Sequence, residues 1–181
     1  MTKTVTARLG SSDEWSVTST PVGDMMVIGD DDVVHYLHLP HSFETGAFDR
    51  ERQGRPSAVR VAVEQIDGYF DGRLADFSLP LDPAGTDFQR RVWFALADIA
   101  YGATESYSEL AARVGNPKAC RAVGLANGRN PIPLILPCHR VIGANGGLTG
   151  YGGGLDLKKS LLDHERAAGL RAASTWRRRA S

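Results

Sequence analysis

The sequence predicts an α+β protein: an N-terminal unit built on an antiparallel sheet, then a mainly helical C-terminal unit. Strand-like alternation is confined to the first 82 or so residues, and helical periodicity dominates from Thr86 onward. Charge divides at the same place. Residues 1–85 hold 7 Lys/Arg against 14 Asp/Glu, a net of −7, and residues 86–181 hold 14 against 7, a net of +7. The expected organisation is a support unit over 1–82, a helix-turn-helix unit over 86–170 and a basic tail over 171–181. A basic half suits a polyanionic partner, although two halves of opposite charge can also simply attract each other.

In the acidic half, Trp15 to Thr20 alternates and stops at Pro21-Val22-Gly23-Asp24, a turn signal. Met25 to Gly29 and Val33 to Leu39 read as two further strands, joined by the acidic turn Asp30-Asp31-Asp32. His35, His38 and His41 recur every third residue. On a strand that spacing alternates faces, and no acidic or cysteine partner stands at a metal-ligand interval, so structural or solvent-facing histidines are expected. Residues 42–55 are polar and read as a loop. Pro56-Ser57 opens a helix whose apolar stripe is Val59, Val63, Ile66, Tyr69 and Phe70. Gly72 ends it, and Phe77 to Leu81 alternates as a short strand.

In the basic half, Thr86 caps a helix expected to reach Ile99, with Phe88, Val92, Trp93, Leu96 and Ile99 on one face. Ser106 caps a second helix over Tyr107–Val114, and Glu109 at its third position completes a capping box. Gly115-Asn116-Pro117 is a turn. A third helix over residues 118–127 is made largely of small residues and carries Lys118 and Arg121. Helix, short turn, helix fits a nucleic-acid reader as well as an ordinary helical hairpin, and the basic charge favours the first. A glycine-rich stretch over 143–154 follows, without the Gly-Lys-Ser/Thr of a phosphate loop. Leu155 to Ala168 is the last helix expected, and Trp176 to Arg179 a solvated basic end.

Composition excludes several classes. With 42% hydrophobic and 23% charged residues the chain is globular rather than disordered. No apolar run approaches the roughly 18 residues of a membrane span, and no signal pattern opens the chain, so a cytoplasmic location is expected. Cys120 and Cys138 stand in neither a CxxC nor a zinc spacing and are expected to be reduced.

Chemistry concentrates at residues 130–143, NPIPLILPCHRVIG. An apolar run fenced by prolines delivers Cys138 beside His139 and Arg140, and a base and a cation are what make a thiol a nucleophile. Glu165 can orient the imidazole as the third member of a set. Residue types alone leave open a cysteine hydrolase or an inert buried cysteine.

The stretch resembles the active-site signature of the O6-alkylguanine-DNA alkyltransferases, or methylated-DNA–protein-cysteine methyltransferases. Phe88–Trp93, Tyr101-Gly102, Ser106-Tyr107, Gly115-Asn116-Pro117, Arg121–Gly124, Ala126–Pro131 and Leu148–Gly153 follow in the family's order and spacing. The likeness is close over 86–168 and loose before it.

It implies a ribonuclease H-like N-terminal domain and a winged-helix, helix-turn-helix C-terminal domain. It further implies a DNA-repair protein that flips O6-alkylguanine, with O4-alkylthymine a further candidate, out of duplex DNA. The alkyl group passes irreversibly to Cys138 in a single turnover. His139 is then the base acting through water, Glu165 its orienting group, and Asn130 a brace. Tyr107 assists the departing guanine. Arg121 takes the flipped nucleotide's place in the stack, while Gln89, Ser108, Asn116 and Ala144 match DNA-contacting positions. Tyr107, Val141 and Tyr151 line the base pocket. Ala144 departs from the serine of some members and leaves only a backbone donor. Cys120 departs from a common alanine and is expected to be a small buried residue. The cysteine ligands of the zinc in vertebrate members are missing, so neither metal nor cofactor is expected. The partner is double-stranded DNA carrying O6-alkylguanine, read by a monomer, with cooperation along DNA left open. A cysteine-less alkyltransferase-like lesion binder is the alternative, and Cys138 counts against it.

Overall fold

The computed structural model describes residues 12–43, 53–54 and 56–179, with side chains as far as Ala168. Strands β1 (Glu14–Thr20), β2 (Gly23–Gly29) and β3 (Val34–His38) form an antiparallel meander in that order. Thr20 pairs with Gly23 across the first turn, and Gly23 adopts a φ of 115° that favours glycine. Side chains alternate between two apolar environments. Met25 and Val27 enter the main core, whereas Trp15, Met26 and Ile28 form a second cluster on the opposite face.

A register irregularity between Ile28 and Gly29 changes the expectation for His35. Its Nε2 lies 3.5 Å from Asp13 Oδ1 and 3.7 Å from Asp30 Oδ2, so acidic partners are present after all. Spacing along the chain could not show them, because they come from β1's approach and from the turn beyond the bulge. Asp30 also accepts from the Asp32 and Val33 amides through Oδ1, and these bonds hold its carboxyl below the usual range.

Helix α1 (Ser57–Phe70) lies on the sheet and buries Val59, Ala62, Val63, Ile66 and Tyr69. Two bonds fix it there: the Ser57 amide donates to Asp31 Oδ1, and Thr18 Oγ1 donates to Asp67 Oδ1. The strand expected over 77–81 is reduced to a bridge between Leu81 and Val34, because Gln65 takes both backbone groups of Ser78. The loop expected over 42–55 lies mostly outside the described residues.

Helices α2 (Asp87–Leu96), α3 (Tyr107–Arg113) and α4 (Cys120–Asn127) pack together. Both predicted N-caps are present, and each is a full capping box, Thr86 with Gln89 and Ser106 with Glu109. α2 stops at Leu96, three residues early, and a turn closed by the Ile99 amide on the Leu96 carbonyl carries the chain to buried Ile99. α4 begins two residues late, at Cys120, since Asn116-Pro117 and the residues after it form a turn. The buried indole of Trp93 donates to the Ala126 carbonyl at 2.7 Å and locks α2 against α4.

Two-residue strands β4 (Glu105–Ser106) and β5 (Val141–Ile142) pair in parallel. They are too short for periodicity to reveal, yet they set Tyr107 beside the residues that follow Cys138. The last helix, α5 (Leu155–Arg179), runs past the expected stop at Ala168, with no proline to break it. One core, made from both halves, runs from Met25 and Tyr69 through Trp93 and Leu110 to Cys138 and Leu161. Among the described residues, no helix is long and apolar enough to cross a membrane.

Candidate active site

The segment before Cys138 is held by its own asparagine. Asn130 Nδ2 donates to the Leu136 carbonyl at 2.6 Å, and its Oδ1 accepts from the Ile132 amide at 3.0 Å. Closing the run so tightly places Leu134 at a φ of 74°, an uncommon conformation for a residue with a branched side chain. The Leu37 amide of β3 donates to the Pro131 carbonyl, so the sheet grips the same segment. Residues 132–141 are buried, and Cys138–Arg140 form a single 3-10 turn.

Glu165, on α5, is the hub of the site and is wholly buried. His139 Nε2 lies 2.8 Å from its Oε1, and the Tyr69 hydroxyl donates to that same oxygen at 2.9 Å. Arg140 donates through Nε to both oxygens and through Nη2 to Oε1, while the Gly102 amide donates to Oε2. Arg140 Nη1 is satisfied by the Ile99 carbonyl. Burial works against the charge of Glu165, but its bonds and attraction to His139 and Arg140 prevail and hold the carboxyl at about 2. An ionised Glu165 fixes the imidazole with its proton on Nε2. Nδ1, buried and without a hydrogen-bond partner among the described residues, is left as the basic atom. Burial lowers the His139 pKa and keeps the ring neutral, partly offset by Glu165 and reinforced by the Arg140 and Lys158 cations.

Burial pushes the Cys138 thiol up, to about 11, against the opposing pull of Asn130, the Lys158 cation and backbone amides. A thiol in that range stays protonated at neutral pH, so attack requires a base to take its proton. Lys158 itself is fully buried. Its Nζ donates to the Val141 carbonyl at 2.6 Å and the Thr149 carbonyl at 3.0 Å, tying β5 to the glycine-rich stretch. It also stands 6.0 Å from the centre of the Tyr107 ring. The Tyr151 hydroxyl is buried next to Cys138, and burial followed by that neighbour raises its pKa. Lys158→Met, which keeps length and removes charge, is expected to raise the pH at which Cys138 reacts with iodoacetamide. Exposed Cys120 serves as the internal control; an unchanged Cys138 midpoint by peptide mapping refutes the electrostatic role.

Around this centre the exposed face of α4 presents Cys120, Arg121, Ala122 and Leu125. Gly124 faces Tyr107, and an added Cβ there would come within 3.8 Å of the ring, so α4 and the tyrosine sit close. A protonable thiol, a neutral imidazole held by a carboxylate, and an exposed cationic helix therefore belong to one small region. Comparison with known proteins shows the family to which the chain belongs. The family model of the 6-O-methylguanine DNA methyltransferase DNA-binding domain matches residues 87–167, and that of the ribonuclease-like domain matches 14–83. A methylated-DNA–protein-cysteine methyltransferase from Mycolicibacterium paratuberculosis is 49% identical over 156 residues, which is 84% of this chain and 92% of the relative. The chain belongs to the 6-O-methylguanine DNA methyltransferase family.

A second relative of the same name, from Methanosarcina acetivorans, is 45% identical over 151 residues, covering 83% of this chain and 97% of its own. Among solved structures, Mycobacterium tuberculosis OGT in complex with DNA superposes with a TM-score of 0.77 at 46% identity, covering 86% of this chain and 94% of that one.

For this member of the methyltransferase family, the structure gathers Cys138, His139, Glu165, Asn130, Val141 and Tyr151 in or beside the buried centre. Tyr107 is half-buried at its edge. Arg121, Ser108, Asn116 and Ala144 are exposed. Gln89 is half-buried, and its side-chain oxygen is occupied by the Thr86 amide of the capping box. Cys120 is exposed, not buried as expected, because α4 turns that position outward. Leu155, the first residue of α5, is 47% exposed. Sequence reasoning missed Lys158, Arg140's share in the Glu165 hub, and Tyr69. Lys158 stands three residues before Leu161 on the apolar side of α5, and that phase was the available signal.

Proposed function

We propose that this chain is a DNA-repair protein that takes the alkyl group from O6 of guanine onto Cys138 and is spent in doing so. The observation that carries the reading is the buried thiol followed by a histidine whose Nε2 is fixed on an ionised carboxylate. That arrangement shares one small unit with the exposed Arg121 helix. His139 Nδ1 takes the thiol proton, through water, and the sulfur attacks the alkyl carbon. The S–C bond forms as the C–O6 bond breaks, its electron pair passes to guanine, and Tyr107 assists the leaving base by a hydrogen bond or a proton, which the proton taken from the thiol replaces. A thioether has no carbonyl carbon for water to attack, so the group stays on the protein. One molecule repairs one lesion.

The DNA face supports the same reading. Arg121 projects from a helix of small residues that can approach a groove closely, and a wedge of this kind fills the space of an extruded nucleotide. Ser108, Asn116, Gln89 and the backbone at Ala144 are assigned to the DNA backbone, and Val141, Tyr151 and Tyr107 to the flipped base. O6-alkylguanine in duplex DNA is the proposed substrate, with O4-alkylthymine second, and a monomer is the proposed acting form. Units over 1–82 and 86–170 remain the proposed division of labour.

Incubation with a duplex carrying one O6-methylguanine, followed by intact mass, tests this. A gain of one methyl per molecule is expected, and a folded protein with no adduct overturns the reading in favour of a lesion binder. Arg121→Ala should slow repair of the duplex by about tenfold or more, because flipping costs a few kcal/mol that the wedge no longer offsets. Reaction with free O6-benzylguanine should hardly change; equal losses on both substrates would remove Arg121 from the flipping step.

A further inference from the structure

Tyr69 belongs to α1, in the N-terminal half, yet its hydroxyl reaches the carboxylate at the centre of the site, 96 residues away in sequence. Packing alone does not explain it. The ring is fully buried and fixed by Phe70, Phe77, Tyr101 and His164, with ring centres 5.0 to 5.7 Å apart. Phenylalanine would fill that space equally well. The hydroxyl ends on Glu165 Oε1, the oxygen that also holds His139 Nε2. Below the backbone, His164 Nε2 lies 2.9 Å from the Tyr69 carbonyl and secures α5 to the end of α1.

We propose that Tyr69 is a positioning residue for alkyl transfer: its hydroxyl keeps Glu165 Oε1 on His139 and draws off part of that oxygen's charge, so the N-terminal half sets the basicity of the imidazole. The inference rests on the reading of His139 and Glu165 as the proton relay for Cys138. A neutral donor sharing the acceptor oxygen weakens its attraction for an imidazolium. Burial and Glu165 push the tyrosine's own pKa far up, so the donor keeps its proton at every working pH. Arg140 donates to the same oxygen, so Tyr69 is the neutral donor beside a charged one. Arg140 and the Gly102 amide also bond to Glu165, Lys158 repels a proton on His139, and Tyr101 lies edge-on to Tyr69. Cys138 and Tyr151 also surround the pair, and His164 packs on the Tyr69 ring from α5.

Removing the hydroxyl leaves more charge on Oε1 toward His139, which favours the imidazolium. The base then stays protonated, and unable to accept from Cys138, up to a higher pH. The test is single-turnover methyl uptake from an O6-methylguanine duplex across pH, read by intact mass. The proteins compared are the parent, Tyr69→Phe, His139→Gln, and one carrying 3-fluorotyrosine at position 69 alone. Tyr69→Phe is expected to move the acid-limb midpoint upward by about half a unit or more, a rate loss of about threefold or more below it. The fluorinated ring packs alike but donates more strongly, and it should move the midpoint downward. A midpoint unmoved in both proteins, whatever happens to Tm, makes Tyr69 a packing residue and overturns the inference. If His139→Gln keeps the parent's rate and profile, the relay reading itself fails and the inference falls with it.

Discussion

Cys138→Ser is expected to fold like the parent and to take up no methyl group, a loss of at least about 10³-fold in single-turnover rate. Serine occupies nearly the same space in the buried 3-10 turn, so the helices and the Glu165 hub should persist, and an unchanged Tm checks that. The alkyl carbon on O6 is saturated and polarisable, a poor match for a hydroxyl, and an alcohol releases its proton far less readily than a thiol. His139, kept neutral by burial, is too weak a base to make up the difference. Cys120 should not substitute: it is exposed on α4 and stands outside the relay. Peptide mapping that found methyl on Cys120 in the variant would overturn the assignment of Cys138 as sole acceptor.

Glu165→Gln should produce the second large effect, on stability and rate together. The substitution leaves Arg140 as a buried cation without its counter-charge, and it replaces the carboxylate shared by His139 and Tyr69 with a neutral amide that has one acceptor oxygen and one donor nitrogen. Breaking one partner of a buried pair typically costs about 3–5 kcal/mol. For a protein of this size that is a fall in Tm of roughly 6–20 °C. Methyl uptake should drop by about 10²–10⁴, the range of a lost acid–base contribution. The pH dependence carries a sign. The folded carboxyl sits at about 2, below its ordinary value of 4.5, so its contribution is fully present above that ordinary value and is lost as pH falls through about 2. Parent and variant should therefore converge in Tm in strong acid. A gap that stays constant down to pH 2 would mean that packing, not charge, sets the difference.

Much of this was legible in the residues, and the failures have physical causes. Capping signals at Thr86 and Ser106, the 3.6-residue stripe of α1 and the alternation of β1 and β2 are local, and local signals were read correctly. Strands β4 and β5 are two residues each and exist only because distant segments meet. His35 gained carboxylate neighbours through a register irregularity that no spacing along the chain encodes. On α5, Lys158 is charged and looks like part of a solvent face, yet it is buried because the Val141 and Thr149 carbonyls satisfy it. Tyr69 was visible only as part of an apolar stripe; its hydroxyl's partner lies on the last helix. Cys138 and His139, by contrast, are adjacent in sequence as well as in space, so the thiol's nearest base could be read directly, whereas the bracing part of Asn130 came from the family resemblance.

The reach of Glu165 across the chain has a consequence for how the protein is made. Its partners lie 96, 26 and 25 residues earlier, at Tyr69, His139 and Arg140. A nascent chain that already contains Cys138 therefore carries it without a relay, until α5 has been synthesised and has docked beneath α1. Contacts of such sequence separation carry a high loop-closure cost, so the proposed relay depends on α1 and α5 meeting across 96 residues. On the proposed relay, alkyl transfer is therefore a property of the finished fold and not of the Cys138 segment alone.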